Sequence, residues 1–426
     1  MKLAFVTPRY GADIPSGAEH ACRLLAEKLC ERHDVDVLTT CARDPLTWKN
    51  EYSEAADRVR GVLVRRFAVN QTRDHDAFLR LSARMFAEPH GRADEQDWVR
   101  ALGPSSPGLI DYLKRRNRSY DAIVFFSLYH ATTVDGVAVA PRRSVVFPCV
   151  RLDPALRFGI WREVLGSARA VGYVSTAERS LVRSYLRLFP ATEEVVGIGV
   201  DMPAQETYPQ HQQDPADALS EDDDESGAPP DTEKAPDYLA GRGIPFRRRH
   251  RLHGPFALYG GRVEADNGCE EMLEYFDSFA AADGDGAAAL VLMGVKLMKV
   301  QDEPYIRMPG IVADRERMMA YEAAEVTLAP GPDDLLGQPV LESLAVGTPV
   351  LVSARNDAAV QLCRRAGGGL YYANREEFVE ALQLMMTNTQ LRERLGDSGR
   401  QYIRQHHRWD VVLARFERLV MKVKGR

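Results

Sequence analysis

The sequence predicts an α/β protein built from two doubly wound sheets with a polar segment between them. Short apolar runs rich in Val, Ile and Phe alternate with longer helix-periodic stretches, which is the rhythm of parallel βα units. That alternation stops once, over about residues 202–253, and then resumes. A chain of 426 residues is long enough for two such domains, and 45% hydrophobic with 27% charged residues allows each a core of ordinary size.

In the first series, strands are expected from Leu3 to Val6, Val35 to Leu38, Val62 to Phe67, Ala122 to Phe126, Val145 to Val150, Val171 to Val174 and Val195 to Ile198. In the second they are expected from Phe256 to Tyr259, Ala289 to Met293, Ile306 to Met308, Val326 to Leu328, Pro349 to Val352 and Leu370 to Tyr372. Between the two, Glu221, Asp222, Asp223, Asp224, Glu225, Asp231 and Glu233 lie among Gly, Pro, Gln and Ser. So few apolar residues cannot offset the entropy of ordering, which predicts a mobile acidic insert. A basic run, Arg247, Arg248, Arg249, His250 and Arg251, follows it. The two blocks read first as a solvated linker and second as a tether in which acid pairs with base.

Charge and cysteine usage narrow the function classes. Lys and Arg total 55 against 61 Asp and Glu, a net charge of −6, which argues against a dedicated nucleic-acid binder that must displace counterions. Cys22, Cys30, Cys41, Cys149, Cys269 and Cys363 show no CxxC spacing and no His-rich partner, so neither a metal site nor a disulfide framework is expected. A reducing, cytoplasmic setting fits these thiols. No run approaches the ~18 apolar residues of a spanning helix, so membrane contact is expected to be peripheral at most, at the inner face. The basic stretch LKRRNRSY at 113–120 could meet acidic headgroups, although a solvated helix end is the plainer reading.

Residues that bear chemistry cluster after strands. After the first strand, Gly11 and Gly17 bracket a loop that opens a helix, with Ser16 and Glu19 spaced as a capping box. Such a helix start offers unpaired N–H groups to an anion, but this is not the GxGxxG spacing of a dinucleotide site. His130 follows a strand and reads more readily as an ordinary strand-end residue than as a cleft residue. In the second half, YGGRVEADNGC places Gly260, Gly261 and Arg262 at a strand end, where a guanidinium can grip a diphosphate bidentately. Further on, Asp334 and Leu336 lie in a loop, and Gly337 and Gln338 form a turn before Pro339 at a first helical position. Glu342, one turn in, could accept hydrogen bonds from vicinal hydroxyls, or could simply be an exposed helix residue.

Together these segments resemble a family 4 glycosyltransferase of the glycosyltransferase group 1 type, with the two-Rossmann GT-B architecture. The resemblance runs from LAFVTPRYG through VVGIGVD at 195–201, YGGRVEADNGC at 259–269, MPGIVADRERMMAYEAAEVTLAP at 308–330 and GQPVLESLAVGTPVLV at 337–352. It continues through RRAGGGLYYANREEFVEAL at 364–382 to RLGDSGRQYI at 394–403. It implies an acceptor domain over 1–201, an insert or linker over 202–253, a nucleotide-sugar donor domain over 254–405, and a final helix over 406–426 that crosses back to the first domain. The activity implied is retaining, metal-independent transfer of a sugar from a nucleotide diphosphate sugar to a glycan, lipid-linked or small-molecule acceptor. The donor is then a co-substrate and no resident cofactor is expected; a second copy or a partner glycosyltransferase is left open.

Carried over by position, Arg262 matches the diphosphate-binding Arg, Glu342 the ribose-binding Glu, and Gly310 and Ile311 the base-contacting segment. Leu336, Gly337 and Gln338 match the helix start near the phosphates, and Gly11 and Gly17 the first-domain glycine loop. The chain departs from the family pattern at three positions. Asn267 stands where a Lys usually follows the Arg, Asp334 where a Glu usually precedes Glu342, and Arg151 where an HDE-like segment usually supplies a His. A catalytically degenerate protein that binds a nucleotide or glycan, or props up a partner, is the rival reading these departures support.

Overall fold

The computed structural model describes residues 1–14, 17–203, 243–283, 288–332 and 337–424. The acidic insert, Ser16, Asp334 and Leu336 lie outside the described residues. The first sheet contains β1 (Lys2–Val6), β2 (Asp34–Thr40), β3 (Ala56–Val59), β4 (Val62–Phe67), β5 (Ala122–Phe126), β6 (Ser144–Phe147), β7 (Ala170–Tyr173) and β8 (Glu193–Val195). Their order is β3-β4-β2-β1-β5-β6-β7-β8, parallel throughout except for the β3–β4 hairpin. The second sheet contains β9 (Phe256–Gly260), β10 (Ala289–Met293), β11 (Ile306–Gly310), β12 (Val326–Ala329), β13 (Val350–Ser353) and β14 (Gly369–Tyr372). Its order is β11-β10-β9-β12-β13-β14 and every pairing is parallel. Both sheets carry helices on their faces, so central strands such as β1, β5 and β9 are buried almost throughout, as parallel strands covered on two sides must be.

Two strand expectations need correction. The hairpin strand β3 was not anticipated, because ADRV is short, polar and mostly exposed at the sheet edge, with no apolar alternation to announce it. The strand expected from Val195 to Ile198 pairs only over Glu193–Val195. Val196 and Ile198 are buried, but Gly197 turns at φ +80° and the chain leaves the sheet.

The second unit also begins earlier than residue 254. Ile244–Arg249 forms a helix whose Phe246 is buried. Arg247, read from the sequence as part of a linker, places Nη2 2.9 Å from the Glu325 carboxylate and donates Nη1 to the Gly254 carbonyl at 2.7 Å. Glu325 accepts in turn from the Phe256 N–H, the first residue of β9. A buried guanidinium is tolerable here because a buried carboxylate answers it.

The chain then returns. Helix Thr389–His406 packs on the second unit, while helix Trp409–Lys424 lies on β5 to β8 of the first sheet. The turn between them is stitched to the first unit. Val200 N–H donates to the His407 carbonyl at 2.9 Å, His407 Nδ1 lies 3.0 Å from the Ile198 carbonyl, and Val200 bridges Arg408. Gly199 lies flat against Trp409, where a Cβ would stand 2.4 Å from the indole. Gly199→Ala should therefore force the indole or the turn to move, lowering stability by about 1–3 kcal/mol. Urea denaturation with an unchanged midpoint would show that the contact yields without cost.

Candidate functional site

The parallel strands of both sheets end on the same cleft, and the contacts across it fix how the walls meet. On the second wall, Gly260 closes β9, and Gly261 and Arg262 follow it. The Gly261 carbonyl would stand 1.9 Å from a Cβ on Gly294, so the ends of β9 and β10 can approach this closely only with glycine there. Gly294 N–H donates to the carbonyl of Gly310, the last residue of β11, at 2.9 Å. Three strand ends thus form a floor almost without side chains. Ile311, just beyond, is 78% exposed.

Arg262 lies at the edge of this floor, half exposed and paired with Glu264 at 2.8 Å. Its backbone is held firmly. The Arg262 carbonyl accepts from Tyr259 Oη at 2.8 Å and from Asn267 Nδ2 at 3.0 Å. Asn267, read as the place of a missing cation, thus serves as a loop tie. A parallel bridge between Val263 and Lys296 brings an exposed lysine's backbone beside this loop, one residue from Arg262.

Gly337 caps helix Gln338–Val346, and Pro339 occupies its first turn as expected. Glu342 is 5% exposed, which corrects the surface reading of this residue. Arg317, from helix Asp314–Ala323, grips it with two hydrogen bonds, Nε to Oε2 and Nη2 to Oε1, both at 3.0 Å. Gln338 Nε2 adds a third at 2.9 Å. A carboxylate offers about four acceptor positions, so one remains among the described contacts. Burial works against the charge on Arg317, but Glu342 and Asp314 outweigh it and hold the guanidinium more firmly protonated than usual. Sequence reasoning missed Arg317, because a partner 25 residues away leaves no local spacing signal.

The first wall carries Gly11 and Gly17 beyond β1, and Arg151 beyond β6. Gly17 opens helix Gly17–Leu29 with open space around it. Glu19 receives Arg9 Nε at 3.0 Å in a buried pair, and the capping box assigned to it from sequence involves Ser16, outside the described residues. His20, one residue on, lies beside Gln338, Arg317 and Asp314 of the opposite wall. Burial and then Arg23 push its imidazole down to about 4, so it is neutral at neutral pH. His130 is likewise pushed down to about 4, mainly by burial, and places Nδ1 2.7 Å from Ser127 Oγ and its ring edge-on to Trp48. Arg151 is exposed and lies near Asp153, whose carboxyl is raised by burial. Behind it, buried Glu178 accepts from Val174 N–H at 2.7 Å and Val150 N–H at 3.3 Å, fixing the ends of β6 and β7. Among the described residues, no group of His, Cys, Asp and Glu is arranged to hold a metal ion, and no helix is long and apolar enough to cross a membrane.

Two measurements follow from this geometry. Arg317→Ala strips a buried carboxylate of its only cationic partner in the described contacts, so it should cost about 3–5 kcal/mol in chemical denaturation; a loss under about 1 kcal/mol would mean that Glu342 is resolvated or protonated at little cost. For Glu178, burial raises the pKa from 4.5 to about 7. As pH rises through that window the unfolded chain releases a proton that the folded protein retains, so stability falls with pH. Denaturation midpoints of wild type and Glu178→Gln across the window should converge with rising pH, wild type losing more; parallel curves would reject the shift.

Residues 244–402 match the family model described as glycosyl transferases group 1. Solved structures with the same fold include sucrose-phosphate synthase from Thermosynechococcus elongatus, at 14% identity and TM-score 0.66, covering 100% of this chain and 99% of that one. Another is Anabaena HepE in complex with UDP and glucose, at 14% identity and TM-score 0.63, each chain covered in full. A third is α,α-trehalose 6-phosphate synthase from Burkholderia multivorans, at 12% identity and TM-score 0.62, covering 100% of this chain and 99% of that one. The cleft thus lies between the two units of a GT-B fold, and the second unit is the part of the chain that resembles the group 1 glycosyl transferases.

Proposed function

We propose that the protein transfers a sugar, with retention of anomeric configuration and without a metal, from a nucleotide diphosphate sugar to a glycan, lipid-linked or small-molecule acceptor. The observation that carries this reading is the placement of Glu342. A buried carboxylate is held in one orientation one turn into a helix that starts at Gly337 and Gln338, on the same unit as the glycine floor edged by Arg262. The floor admits a flat base beside Ile311, the free acceptor position of Glu342 takes a ribose hydroxyl, and the helix start and Arg262 take the diphosphate. HepE, crystallised with UDP and glucose, shares the fold and supports the choice of ligand. In this reading the first wall holds the acceptor near Gly11, with Gly17 leaving room for it and Arg151 or Lys296 adding positive charge as the diphosphate departs.

One observation favours the degenerate reading. Arg317 engages both oxygens of Glu342, and Asn267 is committed to the Arg262 backbone. The ribose acceptor is thus largely satisfied within the protein, and the asparagine itself supplies no cation.

Arg262→Ala and Glu342→Ala should each weaken UDP binding by about 1–3 kcal/mol in calorimetry. Unchanged affinity in both folded variants would reject the donor site. Asn267→Lys separates the two readings, because a cation on the leaving diphosphate acts most in the transition state. In an active enzyme it should raise kcat by roughly 30- to 1,000-fold, and more than it lowers KM. Sugar-nucleotide consumption undetectable in both wild type and Asn267→Lys, with UDP still bound, would favour the degenerate protein.

A further inference from the structure

A cavity of about 530 Å³ opens between the two units, on the side of the helix Gln338–Val346 that carries Leu341. Gly337, at the start of that helix, lines the cavity as well, whereas Glu342, Arg262 and the glycine floor do not. The cavity is bounded by the start of helix Thr176–Leu186, the Gly197–Ile198 turn, helix Asp357–Ala366 and the end of helix Thr389–His406.

Its charge is one-sided. Arg179 and Arg415 come from the first unit and the returning helix, Arg365 from the second unit, and His406 and His407 from the turn between them. No Asp or Glu lines it among the described residues. None of the three guanidiniums has a carboxylate partner there either. Arg365 donates to Thr176 Oγ1 at 3.1 Å, Arg415 donates to the His406 carbonyl at 3.0 Å, and the Arg179 side chain makes no hydrogen bond or ion pair with described residues. The nearby carboxylate, Glu178, is turned inward onto the amides of Val174 and Val150. The concentration of positive charge registers on the histidines: burial, then Arg415 and Arg365, lower His406 below its ordinary value. Elsewhere in the molecule, cations drawn from distant elements meet acids, as Arg247 meets Glu325 and Arg317 meets Glu342.

Like charges gathered around one cavity raise the energy of the empty protein, and an anion relieves it. Guanidinium forks suit the oxygens of a phosphate, and the first N–H groups of helix Thr176–Leu186 point the same way. The rest of the wall, with Val195, Ile198, Leu341 and Leu362, is apolar and suits a compact body behind the phosphate. We propose that this cavity is a second ligand site, for a small phosphate-bearing molecule, which adjoins at Gly337 the cleft in which the donor is placed above. Because both units and the returning helix line it, an occupant ties the units together and biases how the cleft opens. The proposal does not depend on the glycosyl-transfer reading.

Calorimetric titration of the full chain with glucose 6-phosphate, and separately with inorganic phosphate, tests it. Wild type should bind with one-site saturation. Arg179→Ala plus Arg365→Ala should weaken binding about 10-fold or more, while Arg262→Ala should leave it unchanged. If the double variant does not fold, Arg179→Ala alone removes a side chain without described partners and should still weaken binding. Absence of saturable binding of either probe, or binding that is lost in Arg262→Ala and kept in the Arg179 variant, would overturn the proposal, the second result placing the anion in the donor cleft.

Discussion

The return of the chain through His407 and Arg408 is the constraint on which the rest of the molecule depends. Elsewhere the two units touch through side chains, such as Arg365 on Thr176 Oγ1 and His20 beside Gln338. At the return the second unit sends its last helix onto β5 to β8, and the turn before that helix is hydrogen-bonded to Ile198 and Val200 of the first unit. The apolar core runs through this junction without a break. Val196 and Ile198 of the first unit belong to the same buried cluster as Leu341 and Ile403 of the second and Val412 and Phe416 of the last helix. The cleft is therefore a gap between parts that share a core, and its width is set by that shared packing.

Buried ion pairs hold the local pieces around this frame. Arg9 with Glu19 ties a loop to the helix that follows it, and Arg247 with Glu325 and Arg317 with Glu342 tie elements farther apart in sequence. Pairs of this kind contribute little net stability, because desolvating both charges offsets their attraction. Their effect is orientation: Glu19 is directed toward Arg9 at the mouth of the first glycine loop, and both Glu342 oxygens are aimed at one guanidinium. Where an arginine lacks such a partner, as around the cavity at the junction, the same electrostatics favour an anion from outside.

Much of the architecture was legible in residue order. Parallel strands buried on both faces must be continuous apolar runs, so β1, β5, β9 and β10 announced themselves, and Gly260 and Gly261 were legible at a strand end, whereas Gly294 was not singled out because its closeness to Gly261 is a contact between strands. The edge strand β3 left no such mark, since a solvent-facing hairpin strand needs no apolar alternation. The helix Ile244–Arg249 was hidden by its own charge: RRRHR reads as solvated until Glu325 is seen to bury Arg247.

Local pattern by itself determined the two-sheet α/β class, the strand-end glycines and the candidate positions of Arg262, Gly337 and Glu342. These depend on periodicity and short-range sterics, which act between near neighbours in sequence. Only the tertiary structure decided that Glu342 is buried in the grip of Arg317, that Asn267 ties the Arg262 backbone, and that three arginines line one cavity with no acid among the described residues. Those outcomes depend on which charges desolvation forces together across tens to hundreds of residues, and no local pattern encodes that choice.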